Sequence, residues 1–288
     1  MHELPPDLIK TIVSQALAED IGTGDLTTLN AIPSTAQAEA QFVFREPGVV
    51  CGLPLVEAVF AALAANLVVT RTIAEGSKAT AGQTVATVAG PARGILTGER
   101  VALNLFQRLS GIATLAANYV AAVAATPARI LDTRKTTPGL RVLEKYAVRM
   151  GGATNHRFGL YDGVMLKDNH LAILSQQGID LTSAIQDLRT RVGPMVCIEV
   201  EVESAAAAAQ AAAAGADMIL LDNMHPAQLR EAVVAIAGRA RCEASGGITL
   251  DNIHAIATSG VDYISIGALT HSARALDIGL DAIADCRL

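Results

Sequence analysis

Arg134 and Lys135 follow Asp132 and Thr133 at the end of a short apolar run, Ala128-Arg129-Ile130-Leu131, and the segment stops at a Pro138-Gly139 turn signal. A buried strand that ends in charge is where α/β folds keep their chemistry. Between Ala128 and Lys167 stand eight Lys/Arg against three Asp/Glu, a net of +5, in a chain whose formal charge is −6. Positive charge gathered in one segment of an acidic protein suits a small, multiply anionic ligand, whereas a nucleic-acid partner would ask for a basic protein overall. For Arg141, Lys145 and Arg149, four residues apart, a solvated basic helix face is an equal alternative.

Five further apolar, β-branched runs carry polar residues at their ends. The strand candidates are 129–133, 163–167, 195–202, 217–222, 240–245 and 261–267, and they close on Asp132/Arg134, Lys167, Glu199/Glu201, Asp222, Glu243/Ser245 and Ser265/Gly267. Alternation puts Glu199 with Glu201, and Asp132 with Arg134, on one face, so these charges are expected to converge on a common interior. The plainer alternative is a buried salt-bridge network. Ser245-Gly246-Gly247 and Ser265-Ile266-Gly267 each follow a strand and are expected to open a helix, where free N–H groups and the helix dipole favour a phosphate. Glu201 and Asp222, two carboxylates among cations, suit Mg²⁺; with no His or Cys beside them a transition metal is not expected.

The elements that must hold these residues follow from the same pattern. Residues 5–19 read as a helix, and 38–89 as short alternating strands around a helix near 53–65, a small α+β sandwich. A long helix is expected from about 94 to 125, with Arg100, Asn104 and Arg108 on one face. After Thr126-Pro127, strands alternate with helices, which implies parallel pairing in an α/β barrel or a doubly wound sheet; six strands are too few for a full eight-fold barrel. The chain's 288 residues, 51% of them hydrophobic, suffice for a large core. The longest apolar stretch, near 112–125, is broken by Asn118, so no membrane span is expected. The N-terminus lacks a basic head and an apolar block, and the protein is read as cytoplasmic. Cys51, Cys197, Cys242 and Cys286 form no CxxC pair, so buried reduced thiols are expected rather than zinc or disulfides.

Longer motifs then point to a family. Gly98-Glu99-Arg100-Val101-Ala102-Leu103-Asn104, Gln107-Arg108-Leu109-Ser110-Gly111-Ile112-Ala113-Thr114, the segment from Asp132 to Gly139 and Gly151-Gly152-Ala153-Thr154-Asn155-His156-Arg157 are four of them. Leu166-Lys167-Asp168-Asn169-His170, Glu199-Val200-Glu201, Leu221-Asp222-Asn223 and Ala244-Ser245-Gly246-Gly247-Ile248 complete the set. Across essentially its whole length the chain resembles the quinolinate phosphoribosyltransferases, also called nicotinate-nucleotide pyrophosphorylases (carboxylating).

The resemblance implies an α/β protein: an incomplete, six- to seven-stranded α/β barrel at 127–270, an N-terminal α+β open sandwich with a linking helix at 1–126, and a C-terminal helix at 271–288 returning to the sandwich. It implies transfer of phosphoribosyl from phosphoribosyl pyrophosphate to quinolinate with loss of CO₂, giving nicotinate mononucleotide and pyrophosphate on the de novo route to NAD. It also implies Mg²⁺ as cofactor and a homodimer with shared active sites, which could assemble further into a hexamer. Arg134, His156, Arg157 and Lys167 would surround quinolinate with Thr133 beside them, and Arg100 would reach in from the neighbouring subunit. Lys135 and Lys167 would meet the donor's phosphates, Glu201 and Asp222 its hydroxyls and Mg²⁺, and the turns at Ser245, Gly246, Gly247 and at Ser265, Ile266, Gly267 its 5′-phosphate. Lys135, Lys167, Glu201 and Asp222 would carry the catalysis. His156 is either a ligand to quinolinate or a prop for Arg157. The rivals are a Schiff-base barrel aldolase using Lys167, a homologue of the same fold associated with molybdate transport, and a barrel that only senses a phosphorylated metabolite.

Overall fold

A computed structural model describes residues 3–282. By contacts the chain falls into two units: one holds the residues up to 117, 137–152 and those from 272 on, the other 118–136 and 153–271.

The chain opens with α1 (Pro6–Ile21), α2 (Leu26–Ala31), β1 (Gln37–Phe44), β2 (Gly48–Val49), α3 (Leu53–Leu63), β3 (Val68–Arg71), β4 (Lys78–Ala79) and β5 (Thr84–Pro91). A long helix follows, α4 (Ala92–Ala122), and then β6 (Arg129–Leu131) and α5 (Arg141–Met150). Proline at the first turn starts α1, where a missing N–H costs nothing, and Asp25 caps α2 by accepting from the Thr28 amide at 2.9 Å. The core of the first unit is aromatic. Phe42, Phe44, Phe60 and Phe106 are fully buried and meet edge to face at centroid separations of 5.8–6.2 Å.

The first unit's main sheet has the order β12-β1-β5-β3, with β12 spanning Ile278–Ala282. This corrects the C-terminal helix expected at 271–288. Ile278 lies opposite Phe44 and Asp281 opposite Gln41 in an antiparallel ladder. Without β12 the long strand β1 would be an edge with unpaired N–H and C=O groups; residues 283–288 of that expected helix lie outside the described residues. The solvated basic face considered for 141–149 is also corrected. Lys145 and Glu144 on α5 are both fully buried. The Glu144 carboxylate accepts from Arg108 Nη2 at 2.7 Å, from the Thr137 amide at 3.0 Å and from Thr137 Oγ1 at 2.8 Å, which balances the cost of burying its charge.

The second unit adds β7 (Val164–Leu166), α6 (Asp168–Gln176), α7 (Leu181–Arg191), β8 (Ile198–Val202), α8 (Ala205–Ala214) and β9 (Met218–Asp222). It ends with α9 (Pro226–Ile236), β10 (Arg241–Ser245), α10 (Ile253–Ala257), β11 (Tyr263–Ser265) and α11 (Ala268–His271). All six strands expected from the apolar runs are present and pair in parallel in the order β6-β11-β10-β9-β8-β7. Helices between the strands make the crossovers that parallel pairing requires. No helix among the described residues is long and apolar enough to cross a membrane. Cys51 and Cys242 are buried, as expected of inert thiols, whereas Cys197 is exposed and Cys286 lies outside the described residues.

Candidate active site

In a flat sheet the edge strands β6 and β7 would stand roughly 24 Å apart, five spacings of about 4.8 Å. Residues at the ends of both line one cavity of about 280 Å³, so the sheet is curled into an open barrel with its pocket at the carboxyl ends of the strands. The segment after β6 supplies Thr133, Arg134 and Lys135; the approach to β7 supplies His156 and Arg157. Met165 comes from β7 and Lys167 from the junction of β7 with α6, Glu201 from β8, Leu220 and Asp222 from β9, Glu243 and Ser245 from β10, and Ser265 from β11.

One wall is cationic. Arg157 Nη1 donates to the Gly163 carbonyl at 2.9 Å, which aims its guanidinium from a fixed base. Burial, joined by the charge of Arg134, pushes the Arg157 guanidinium below its ordinary range. Two guanidiniums that repel each other inside one cavity are arranged for an anion that would relieve both.

The floor beneath is acidic and closed. Asp132, Glu199 and Glu243 are buried. Asp132 accepts from Asn155 Nδ2 at 2.6 Å and from the His156 amide at 2.8 Å. His156 Nε2 lies 3.2 Å from Glu199 Oε2 and 3.4 Å from Glu243 Oε2, while Nδ1 accepts the Arg157 amide at 2.7 Å. Burial disfavours a charged imidazole, but hydrogen bonds to Glu199 and Glu243, and their charges, outweigh it and lift the His156 pKa to about 10. A proton on Nδ1 would meet the Arg157 N–H and end that acceptance, so this contact opposes the upward shift and fits the ring with its proton on Nε2. With both ring nitrogens engaged, His156 supports the backbone of Arg157. Asp132, Glu199 and Glu243, expected from alternation to face the ligand with Arg134 and Glu201, form instead the buried network that was the plainer alternative. His156, Glu199 and Glu243 also stand at metal-ligand spacing, but the imidazole 3.2 and 3.4 Å from the two carboxylates already accounts for their closeness as an ion pair.

Opposite the arginines stand Glu201 and Asp222. Lys167 Nζ donates to Glu201 Oε2 at 2.5 Å, and Asn223 Nδ2 to Asp222 Oδ2 at 2.7 Å. Burial, helped by the Glu201 charge, raises the Asp222 carboxyl above its usual range. Paired hard oxygens, one of them raised by burial and by its neighbour's charge, fit a divalent cation such as Mg²⁺.

The two glycine turns are present, but their helices are not what was expected. The helix after Ser245-Gly246-Gly247 begins only at Ile253 and has 5 residues, and α11 has 4. So short a helix has little dipole, and any phosphate there is left to the turns themselves. Gly246 and Gly247 have φ of +93° and +60°, turning backbone toward the strand end as only glycine does easily. A Cβ on Gly246 would stand 2.1 Å from Asn223 Oδ1. Gly246→Ala is expected to cost about 2 kcal/mol from backbone strain and overpacking, read as a lower urea midpoint; an unchanged midpoint would refute this account of the turn.

Ten of the residues expected from sequence therefore line one cavity: Thr133, Arg134, Lys135, His156, Arg157, Lys167, Glu201, Asp222, Ser245 and Ser265. Gly246, Gly247, Ile266 and Gly267 lie in the adjoining turns without lining it. Arg100 belongs to the other unit, exposed on α4. Glu243, expected among the strand-end charges, lines the cavity from the floor, and Met165 and Leu220 line it unforeseen as ligand contacts. Each stands two residues before a strand-end polar group, so alternation carried back one step would have found them.

Comparison with known proteins agrees with this geometry. Residues 25–110 match the N-terminal domain, and 112–281 the C-terminal domain, of quinolinate phosphoribosyl transferase. The chain belongs to the quinolinate phosphoribosyltransferase family. A probable nicotinate-nucleotide pyrophosphorylase [carboxylating] of Bacillus subtilis (strain 168) is 44% identical over 273 residues, covering 95% of this chain and 93% of that protein. Quinolinate phosphoribosyltransferase [decarboxylating] 1 of Nicotiana glauca is 42% identical over 287 residues, 94% of this chain and 81% of that one. Among solved structures, the nicotinate-nucleotide pyrophosphorylase of Francisella tularensis superposes with a TM-score of 0.92 at 35% identity, covering 98% of each chain. Family membership decides between the two architectures that strand-helix alternation left open, in favour of the incomplete barrel with an N-terminal sandwich.

Proposed function

We propose that the cavity transfers the phosphoribosyl group of phosphoribosyl pyrophosphate to the ring nitrogen of quinolinate, with loss of CO₂, giving nicotinate mononucleotide and pyrophosphate for de novo NAD synthesis. The reading rests on one observation: Arg134, Arg157, Lys135 and Lys167 share a cavity with Glu201 and Asp222. A dicarboxylate and a polyphosphate in one pocket need dense positive charge, and a guanidinium fork matches a carboxylate. A receptor that only captured phosphate would have no use for two acids opposite its anion. An aldolase would need a lysine free to attack a carbonyl, and Lys167 is held against Glu201.

Arg134 and Arg157 grip the two carboxylates and turn the nitrogen lone pair toward the anomeric carbon. As the new C–N bond forms, the bond from that carbon to the pyrophosphate oxygen breaks and its electron pair leaves with pyrophosphate. Lys135 and Lys167 meet this growing negative charge, while Glu201 steadies the positive charge on the ribose. Mg²⁺, held by Glu201 and Asp222 partly through water or substrate, would add a Lewis acid for the departing pyrophosphate. Loss of CO₂ then leaves an electron pair on ring carbon 2 beside the cationic nitrogen, and a proton from solvent fills it; no covalent nucleophile is needed. The Ser245 and Ser265 turns, with Gly246, Gly247, Ile266 and Gly267, hold the 5′-phosphate. Arg100 enters the pocket from a partner subunit, which makes the working unit a homodimer in the cytoplasm.

The protein mixed with quinolinate, phosphoribosyl pyrophosphate and Mg²⁺ is expected to yield nicotinate mononucleotide and CO₂ in equal amounts. Failure to form either would reject the reading. Run across a dilution series, the same assay is expected to show turnover per chain falling as subunits separate; constant turnover from sedimenting monomers would rule out the shared site.

A further inference from the structure

Thr270 is fully buried on α11, five residues past Ser265, and its Oγ1 stands 2.7 Å from the carbonyl oxygen of Lys135. A second neighbour, the Gly267 carbonyl, is farther at 3.1 Å and already accepts the Thr270 amide. A hydroxyl has one proton, and the shorter contact takes it. A second bond joins the same two segments, from the Ile266 amide to the Leu131 carbonyl at 3.0 Å. The segment from Leu131 to Lys135 is therefore fastened at both ends to the segment from Ile266 to Thr270.

The Lys135 side chain is guided as well. A Cβ on Gly267 would stand 2.9 Å from Lys135 Cδ, so the bare backbone at Gly267 is the surface along which the aliphatic stem runs. The Lys135 amide donates to Thr133 Oγ1 at 3.0 Å, which fixes the peptide on its other side. Lysine is otherwise a flexible point charge. Here its backbone and stem are both held, and two of the residues that hold them, Thr270 and Gly267, stay off the cavity lining.

We infer that Thr270 and Gly267 are positioning residues that set the Lys135 ammonium at a fixed distance from the Ser265 turn, and so match the pocket to the span between the pyrophosphoryl and 5′-phosphate ends of the sugar donor. This rests on the proposed reading of Lys135 and of that turn as phosphate contacts. The occupant is the donor, not quinolinate, because only a ligand with phosphates at both ends spans the two places.

The test is a set of variants assayed for kcat, for KM of each substrate, and for inhibition by inorganic pyrophosphate. Thr270→Val, which keeps shape and loses the hydroxyl, is expected to raise the donor KM and the pyrophosphate inhibition constant about tenfold, the worth of one buried hydrogen bond. The quinolinate KM should stay within about twofold, and Thr270→Ser should recover most of the loss. Gly267→Ala, which crowds the lysine stem and the His271 ring, should give the same donor-specific signature, and Thr270→Ala serves if Thr270→Val does not fold. In a Lys135→Ala background the Thr270→Val effect is expected to vanish, because a positioning residue has nothing left to position. Full additivity in that background, or equal losses for both substrates, would overturn the inference. A Lys135→Ala enzyme with unchanged donor kinetics would instead bring down the reading of Lys135, and the inference with it.

Discussion

Arg134→Ala is expected to lower kcat/KM for quinolinate about a thousandfold while the fold survives. The size comes from what remains. Removing one member of a desolvated, charge-assisted pair costs about 3–5 kcal/mol, and each 1.4 kcal/mol is a factor of ten. Arg134 stands at the end of β6 with Arg157 across the same cavity, so a dicarboxylate that lost it would keep one guanidinium for two carboxylates and could swing about that contact. Lost orientation should appear in kcat as well as KM. Arg134→Lys should recover little, since a point charge does not reproduce a planar fork. Its half-buried side chain lines a cavity and does not fill the core, so the thermal midpoint should move by only a few degrees. A kcat/KM within tenfold of the parent would show that the carboxylates are held elsewhere, and the floor of the pocket would have to be reassigned.

The same geometry explains which features the sequence made legible. The six barrel strands are short apolar runs bounded by turn residues, and the charge at their ends has no reason to be there unless it faces a site, so strands and rim could be read together. Depth could not. Glu199 and Glu201 alternate onto one face, yet Glu199 is 3% exposed, pinned under His156, while Glu201 faces the cavity with its side chain 13% exposed. Alternation sorts residues by face and says nothing of their height along the barrel axis. His156 resisted for the same reason, since its ligand-or-prop ambiguity turns on where two ring nitrogens point. The final strand β12 was missed because Gly279 and Asp281 interrupt its apolar pattern, and its stability comes from the long ladder with β1, a partner more than two hundred residues away. Lys145 misled because its spacing with Arg141 and Arg149 matches a solvated helix face, and only packing buries it.

Chelating Mg²⁺ is expected to reduce turnover to below about one per cent, and Glu201→Gln with Asp222→Asn to raise the Mg²⁺ concentration for half-maximal rate at least about tenfold. The donor carries several negative charges into a cavity that already holds two carboxylates, and Asp222 is the one pushed upward by burial and by Glu201. Lys167 answers Glu201 at 2.5 Å, which leaves Asp222 with Asn223's amide and a site in need of a cation. The neutral variants remove the repulsion, so if the acids served only to bind ribose hydroxyls, the amides would still hydrogen-bond and donor affinity would rise as charge opposition fell. If they hold the metal, affinity and rate should fall together, and excess Mg²⁺ should restore part of the rate. Glu201→Gln also releases Lys167 from its ion pair and leaves its ammonium wholly to the pyrophosphate it already meets, so the single Glu201 variant should lose less than the single Asp222 variant. Calorimetry with Mg²⁺ and a non-reactive donor analogue separates the two cases without relying on turnover: weaker metal uptake in the double variant is the expected result. Unchanged uptake would mean that the metal rides on the substrate phosphates alone, and the two acids would then be left with the ribose.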